Sequence, residues 1–335
     1  MLNAPAVSVI IPLYNAERYI AECLESILIQ NLQDFEVIIV NDCSTDSCRQ
    51  IAESYLEKFS GRLKIYDNEK NSGAGAARNH GLRRASGEYI FFMDADDLII
   101  PTALEELYNA AKDFSADVVY NELFFESNPN LSKISVKSLQ KNNFVNMPTL
   151  ETDDLAKRVY GIINLRYWVT PWCKLVKRDL LIEHEIFFPH IAPAEDDIWT
   201  YALVFYAKRF LRVPNTVYVW RRTELSVMRK NRSPQEILNF WINPIIFGIK
   251  TLDNFMNQIE FFQKNPQYRC AVLEFFVHSK VAQIFEASLN LSIPEIYASI
   301  ENEFGKSLGE HDVLISWLLT DLIIQQKNFV QLKNN

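Results

Sequence analysis

The sequence is poor in several features that assign a chain quickly to a class of protein. Its five cysteines form no Cys-x-x-Cys pair and are odd in number, which argues against a disulfide framework and a zinc site. No stretch approaches the ~18 unbroken apolar residues of a membrane span, and the first residues lack the basic region and apolar core of a secretion signal. We therefore expect a cytoplasmic protein with reduced thiols.

Positive charge is also scarce. The chain has 34 Lys and Arg against 42 Asp and Glu, a net charge of −8 with neutral His, which argues against broad nucleic-acid binding through counterion release. Its composition, 48% hydrophobic and 23% charged, is that of an ordinary globular protein. At about 150 residues per domain, a chain of 335 residues suggests two domains.

The first part of the chain alternates short apolar runs with segments of helical period. This pattern is typical of an α/β fold in which helices cover both faces of a mostly parallel sheet. Strands are predicted over residues 7–13, 35–40, 63–66, 89–93 and 117–120. Helices are predicted after a cap at Asn15 and over residues 75–85 and 102–114, and the polar residues 126–148 are predicted to form a long irregular excursion.

The rest of the chain changes character. A helix over residues 196–208 and a strand over 216–222 are predicted first, and beyond residue 233 only helical patterns remain, at 237–262 and 268–289. The apolar residues 313–324 are too few to span a bilayer and predict a core or interface helix. Peripheral contact of this segment with a membrane is the alternative.

Two acidic clusters follow predicted strands. Asp42 comes after the second strand, and Asp94, Asp96 and Asp97 come after the fourth. Because ligands of parallel α/β sheets bind at the carboxyl ends of the strands, both clusters are expected to face one cleft. Asp94 and Asp96 would suit a hard cation such as Mg²⁺ or Mn²⁺, and Asp42 could accept hydrogen bonds from a base or ribose. The alternative for each is a structural aspartate in a turn or helix cap.

One glycine-containing segment, Asn-Ser-Gly-Ala-Gly-Ala-Ala-Arg over residues 71–78, resembles a dinucleotide fingerprint superficially. Arg78 replaces the third glycine and the turn after the first strand has none, which argues against an NAD or FAD site. The small residues would instead let a helix N-terminus, together with Arg78, approach a phosphate. A close contact between helix and sheet explains them equally well.

Four motifs together carry a resemblance to a known family. In chain order they are VSVIIPLYNAERYIAECLESIL, VNDCSTD, ARNHGL and FMDADD, and they cover residues 7–120. This pattern resembles glycosyltransferase family 2, which has a GT-A fold. The resemblance implies a nucleotide-sugar donor, usually a UDP-sugar, a divalent cation (Mn²⁺ or Mg²⁺), and transfer to an acceptor hydroxyl with inversion at the anomeric carbon.

The resemblance also implies roles for individual residues. Nucleotide contacts are implied for Pro12, Tyr14, Asp42, Arg78 and Asp94. Asp42 would read the uracil, while Asp94 would hold the ribose and assist Asp96, the direct ligand of the metal. Asp97 is expected to cap the next helix, and Tyr14 could otherwise be a packed aromatic residue.

A second match covers residues 168–228 and resembles the acceptor half of the family. An Asp in a Glu-Asp pair supplies the catalytic base there, which implies Asp196, with Glu195 as the second candidate. Asp197 follows directly and leaves the register open by one residue. Without the resemblance, the three carboxylates would simply mark a helix N-terminus. Acceptor contacts are predicted for Trp172, Arg221 and Arg222, with core packing as the alternative.

These predictions combine into one hypothesis. Residues 1–230 form a GT-A domain, with a nucleotide-sugar half at 1–120 and an acceptor half at 121–230, and residues 231–335 form a helical region. The protein would transfer sugar to a glycan or lipid-linked acceptor in bacterial surface-polysaccharide or lipooligosaccharide synthesis, in the cytoplasm or at the inner face of the membrane. The alternatives are a non-catalytic nucleotide-sugar-binding module and a sugar nucleotidyltransferase, which would normally carry a glycine-rich loop after its first strand.

Overall fold

The computed structural model describes residues 4–128, 133–138, 144–223, 231–304 and 320–325. The chain divides into two compact units. The first unit comprises Met1–His190 and Trp199–Ser226, and the second comprises Ile191–Ile198 and Val227–Asn335. The predicted domain division between residues 230 and 231 stays a prediction, but the second unit also takes a short segment from the middle of the chain.

A single sheet forms the first unit's core. Its strands are β1 (Val7–Leu13), β2 (Phe35–Asn41), β3 (Leu63–Asp67), β4 (Tyr89–Phe92), β5 (Leu98–Ile99), β6 (Val118–Asn128), β7 (Lys133–Ser138), β8 (Thr149–Leu150), β9 (Lys174–Lys177) and β10 (Phe210–Arg221). Their order is β3-β2-β1-β4-β9-β6-β10-β5, with β7 paired to β6 and β8 to β10. The strands β3, β2, β1 and β4 run parallel, and β9 is antiparallel to both β4 and β6.

The strands β1, β2 and β4 are largely apolar, as expected of parallel strands with both faces covered. Every residue of β2 is buried, and in β1 only Pro12 is partly exposed. The strands predicted over residues 7–13, 35–40, 63–66 and 89–93 all form, within one residue of the predicted ends. The prediction of an α/β fold is therefore confirmed.

The helices associated with this sheet include α1 (Ile20–Leu28), α2 (Cys48–Glu53), α3 (Ala74–Arg84), α4 (Ala103–Asp113), α5 (Leu155–Ile163), α6 (Arg178–Glu183) and α7 (Glu195–Tyr206). The first residues of α7 belong to the second unit. The prediction that Asn15 caps α1 is wrong, since α1 begins at Ile20 after Tyr19. Asn15 has a positive φ of 48°, and its side-chain oxygen accepts a hydrogen bond from the Thr45 amide at 2.8 Å. Asn15 therefore joins the loop after β1 to the loop after β2.

The excursion predicted for residues 126–148 is partly regular. The strand β6 is much longer than the predicted 117–120, and β7 pairs with it in antiparallel register from Leu123↔Ser138 to Asn128↔Lys133. Strands are recognised in a sequence by alternating apolar and polar residues. This alternation is weak in a polar hairpin, because it does not have to bury both faces.

The second unit is helical in its described part. It contains α8 (Pro234–Asn257), α9 (Glu260–Lys264), α10 (Pro266–Leu289) and α11 (Ile293–Phe304). Ser233 and Glu236 form a capping box at the start of α8. The helix predicted over 237–262 is two helices, because α8 ends before Gln258. Most of the segment 313–324, predicted as a helix, lies outside the described residues.

The helices α8 and α10 approach closely at Gly248. A Cβ atom on this residue would lie 2.5 Å from the Phe276 ring, so no larger residue fits there without a shift. Within the ranges that the structure describes, no helix combines the length and the apolar character that crossing a membrane requires.

Candidate active site

The carboxyl ends of β1, β2 and β4 bring three predicted site residues to one edge of the sheet. Tyr14 follows β1, Asp42 follows β2, and Asp94 comes two residues after β4. Since the three strands are parallel neighbours, their ends share this edge, and the Asp42 amide donates a hydrogen bond to the Leu13 carbonyl at 2.8 Å. Tyr14 is 51% exposed, so it is available to a ligand and is not packed into the core.

Asp42 is already bonded within the protein. Its buried carboxylate accepts hydrogen bonds from the Asn68 amide group at 2.8 Å and from the backbone amides of Ser72 and Gly73 at 3.0 and 2.7 Å. These bonds hold the loop that leads into α3, whose N-terminal cap is Gly73 with a φ of 86°. Asp42 therefore shapes the entrance to α3, and its contact with uracil stays a prediction.

Arg78 projects from α3 to the loop after β4 that contains Asp94, Asp96 and Asp97, which we call the acidic loop. Its guanidinium group donates to Oδ1 of Asp94 at 2.9 Å and stacks over the Phe188 ring with 5.3 Å between the guanidinium carbon and the ring centroid. The Arg78 side chain is 6% exposed, whereas that of Asp94 is 33% exposed. The pair therefore places a fixed positive charge behind a carboxylate that solvent can reach.

Asp96 is held by a residue that follows β10. Its Oδ2 accepts a hydrogen bond from the Thr223 hydroxyl at 2.8 Å. Burial and the neighbouring charge of Asp94 raise the pKa of the Asp96 carboxyl above its usual range. The two carboxylates thus repel each other in the absence of a cation.

This repulsion and the donor chemistry fit a divalent metal. Asp94 and Asp96 offer oxygen ligands, which Mg²⁺ and Mn²⁺ prefer. Across the described ranges, no three His, Cys, Asp or Glu side chains form a metal site by themselves. A cation held by two carboxylates would need its other ligands from water and from a diphosphate, as is usual for Mg²⁺ in phosphate-binding sites.

The sequence predicts that Asp97 caps a helix, and this prediction is wrong. Asp97 is 1% exposed, and α4 begins only at Ala103. Its carboxylate accepts hydrogen bonds from the Tyr218 hydroxyl at 2.7 Å and from the Arg221 amide at 2.8 Å. Burial, together with the charges of Asp96 and Asp94, raises the pKa of the Asp97 carboxyl well above its ordinary value. Asp97 anchors the acidic loop to β10.

Arg221 completes this anchor. Its guanidinium group donates to the Asp96 carbonyl, to the Glu22 carboxylate and to the Tyr19 carbonyl, and the residue is 6% exposed. These bonds commit its side chain to holding the acidic loop against the start of α1. Direct contact with an acceptor, predicted for Arg221, has no support in this geometry.

The other two predicted acceptor residues differ in exposure. Trp172 is buried and stacks on the Tyr218 ring, with 4.4 Å between centroids and 11° between planes. It is a packed aromatic residue that supports the tyrosine bonded to Asp97. Arg222 has a side chain 54% exposed and pairs with Glu126 at 2.9 Å. Only Arg222 has the exposure that contact with an acceptor requires.

The second unit holds the candidate bases. Glu195, Asp196 and Asp197 form the first turn of α7. Asp197 is buried, and its Oδ1 accepts a hydrogen bond from Lys280 Nζ at 2.7 Å, while Glu195 and Asp196 are both partly exposed. A carboxylate engaged by a buried lysine is poorly placed to take a proton from an acceptor, so Asp197 is the weaker candidate. The roles of Asp196 and Glu195 stay predictions.

Sequence reasoning missed the residues that connect the parts of the first unit. Asn79 of α3 donates to the Phe188 carbonyl at 2.7 Å and accepts from the Phe188 amide at 2.9 Å, which fixes the residue beneath Arg78. Thr223 and Tyr218 bond the acidic loop from 121 or more residues away. Asn79 belongs to the ARNHGL motif, which was its only signal in the sequence.

Comparison with known proteins identifies the family and the fold. Residues 8–158 match the family described as glycosyl transferase family 2. The chain is 31% identical over 244 residues to the uncharacterized glycosyltransferase YibD of Escherichia coli K12, which spans 72% of this chain and 68% of YibD. It is 32% identical over 219 residues to the poly(ribitol-phosphate) beta-N-acetylglucosaminyltransferase TarS of Staphylococcus aureus, which spans 64% of this chain and 35% of TarS.

The fold has solved counterparts. The crystal structure of S. aureus TarS 1-349 in complex with UDP superposes with a TM-score of 0.66 at 24% identity, covering 96% of this chain and 87% of that one. This likeness concerns the fold, which is of the GT-A type. The YibD match and the motifs at the strand ends together establish that the chain belongs to glycosyltransferase family 2 and is a glycosyltransferase.

Proposed function

We propose that the protein is an inverting, metal-dependent transferase that moves a sugar from a UDP-sugar to a hydroxyl of a glycan or lipid-linked acceptor. The observation that carries this proposal is the acidic loop, in which Asp94 and Asp96 lie at the end of β4 with Arg78 bonded to Asp94. The fold neighbour TarS, solved with UDP, supports a uridine nucleotide, and its name, which gives poly(ribitol-phosphate), supports a polymeric acceptor. We extend the proposal to bacterial surface-polysaccharide or lipooligosaccharide synthesis.

The residues of the proposed donor site have different roles. Asp94 and Asp96 would hold the cation, which when bound would neutralise the charge that develops on the leaving diphosphate. Tyr14, exposed beside β1, would lie along the base, and Pro12 and Asp42 would border it. Arg78 keeps Asp94 oriented, and Asp97 and Arg221 keep the loop in place.

Asp196 is proposed as the base, with Glu195 as the second candidate. It would take the proton of the acceptor hydroxyl while that oxygen attacks the anomeric carbon. The new carbon–oxygen bond forms as the bond to the diphosphate breaks on the opposite face, so the configuration inverts and UDP leaves. Arg222, exposed on β10, is the remaining proposed contact with the acceptor.

The donor site can be tested by calorimetry. We expect purified protein to bind UDP in the presence of Mn²⁺, and to bind GDP, CDP and TDP less tightly. Asp96→Ala should abolish the Mn²⁺-dependent part, because one of the two carboxylate ligands is lost. Asp153→Ala, at an exposed aspartate in the same unit, is the matched control and should bind UDP like the wild type. Binding that is independent of both the metal and Asp96 would contradict the proposed metal site.

The base can be tested separately. We expect Asp196→Asn to keep the UDP affinity of the wild type and to lower turnover of a UDP-sugar by at least about 100-fold, the lower range of general-base catalysis. The readout is UDP release in a coupled assay with UDP-N-acetylglucosamine as the donor. Glu195→Gln is the matched variant that separates the two candidates. Loss of UDP affinity in Asp196→Asn would place this residue at the donor and overturn its assignment as the base.

A further inference from the structure

The segment that carries the candidate bases belongs with the C-terminal helices. Ile191–Ile198 groups with Val227–Asn335, although the residues on both sides of it in the sequence belong to the first unit. Its backbone is unusual, since Ala194, directly before α7, has a φ of 86°. A left-handed conformation at a non-glycine residue persists only where surrounding contacts hold it. The segment therefore needs an anchor.

One anchor is a buried ion pair between Asp197 and Lys280. The Lys280 Nζ lies 2.7 Å from Oδ1 of Asp197, and the two side chains are 11% and 9% exposed. Lys280 extends from α10 past the Trp241 and Phe276 rings, with its Nζ 5.8 and 5.6 Å from their centroids. Aromatic faces and a carboxylate both favour the ammonium group, so the pair has a defined geometry in a site with little water.

A second anchor is the next residue. Ile198 is 3% exposed, and its Cδ1 lies 3.6 Å from the position that a Cβ on Gly248 would occupy. Gly248 is the point of close approach between α8 and α10. Two consecutive residues of the segment are thus held by the C-terminal helices, Asp197 by α10 and Ile198 at α8.

We propose that Lys280 is a positioning residue for the catalytic base. Through Asp197, it fixes the first turn of α7, and hence the backbone that carries Glu195 and Asp196, to the C-terminal helices. The inference rests on the proposed function of Asp196. It gives the helical region, for which the sequence suggested no role, a specific part in catalysis.

The alternative is that the ion pair only stabilises the helical unit. Breaking a buried pair leaves an uncompensated charge, so a loss of stability in Lys280→Met would fit both explanations. The two explanations predict different consequences of Lys280→Met for residues 195–199 and for turnover. A positioning role predicts a local loosening of residues 195–199 and a loss of turnover without a loss of UDP affinity.

Hydrogen–deuterium exchange measures the first of these readouts without any substrate. We expect the peptide amides of residues 195–199 to exchange at least about fivefold faster in Lys280→Met than in the wild type. Lys264→Met is the matched control, since it breaks the exposed ion pair of Lys264 with Glu260 in the same unit. If Lys280→Met fails to fold, the double variant Asp197→Asn/Lys280→Met removes both charges together and should show the same local change. Unchanged exchange at 195–199 in a folded variant would overturn the proposal.

Turnover gives the second readout, with UDP release from UDP-N-acetylglucosamine as the probe. We expect Lys280→Met to lower kcat at least tenfold with UDP affinity within twofold of the wild type, and Lys280→Arg, which keeps the charge, to recover part of the loss. If Asp196→Asn is inactive while Lys280→Met turns over like the wild type, the positioning role is wrong and the proposed base stands. If Asp196→Asn and Glu195→Gln are both fully active, neither candidate is the base, and the role of Lys280 in catalysis is wrong as well.

Discussion

At the scale of single residues, the three aspartates of the acidic loop have different tasks. Asp94 is half-exposed and faces Arg78, Asp96 is held by Thr223, and Asp97 is buried against β10. Neighbours in the sequence thus divide into two candidate ligands and one structural anchor. Their spacing suggested the ligands, but it could not identify the anchor, because the bonding partners of Asp97 are 121 and 124 residues away.

This division predicts losses of stability of different size for two adjacent substitutions. Asp97→Ala leaves the Tyr218 hydroxyl and the Arg221 amide without their acceptor in a buried position, and should lower the free energy of unfolding by about 2–4 kcal/mol, since two buried groups lose their partner. Asp96→Ala should cost less than about 1 kcal/mol, because Asp96 is only partly buried and only the Thr223 hydroxyl loses its acceptor. Urea denaturation of both variants measures the difference. Equal destabilisation by the two would contradict the assignment.

At the scale of elements, Glu36 joins the first strands of the sheet. Its carboxylate accepts hydrogen bonds from the Ser8 hydroxyl on β1 at 2.8 Å, from Lys64 on β3 at 2.9 Å and from the Ser86 amide before β4 at 2.7 Å. Burial alone would raise the pKa of Glu36, but these hydrogen bonds outweigh it and the pKa is lowered. One carboxylate therefore connects β2 to three neighbouring elements.

The lowered pKa of Glu36 predicts how stability changes with pH. A carboxyl group whose pKa is lower in the folded than in the unfolded state stabilises the fold above its unfolded pKa of about 4.3. That contribution is lost as the pH falls through the folded pKa. The free energy of unfolding of the wild type should therefore decrease below about pH 4.5, and Glu36→Gln should show a shallower decrease. Urea denaturation between pH 3 and 7 checks this, and parallel pH profiles for the two proteins would refute the role of Glu36.

At the scale of the whole molecule, each unit contains some of the residues to which a role is proposed. The first unit holds the proposed donor and metal residues, and the second holds the candidate bases and Lys280. A ligand that binds only the folded first unit should stabilise that unit by mass action. Its effect on unfolding therefore reports which unit carries the donor site.

Thermal unfolding with ligand tests this assignment. UDP with Mn²⁺ at about 100 times its dissociation constant should add ~2.7 kcal/mol to the free energy of unfolding of the part that binds it. The transition temperature should rise with UDP concentration in the wild type, fall back when the metal is chelated, and stay unchanged in Asp96→Ala. A rise of equal size in Asp96→Ala, or one that survives chelation, would show that UDP binds elsewhere.

The sequence by itself determined the layered fold and the edge at which the donor site lies. The apolar runs of β1, β2 and β4 could only be buried in a parallel sheet, and polar residues at their carboxyl ends must then share one edge. Both patterns involve residues that are close together in the chain, so they can be recognised in a single sequence. The family motifs added the class of reaction for the same reason.

Only the tertiary structure decided which carboxylates are anchors and where the segment 191–198 belongs. Asp97 and Asp197 both look like their neighbours in the sequence, and each is distinguished by a partner more than 80 residues away. Such pairs leave no periodic signal, since they depend on where remote elements pack. The role proposed for Lys280 depends on the contact between α10 and the start of α7, which the sequence does not reveal.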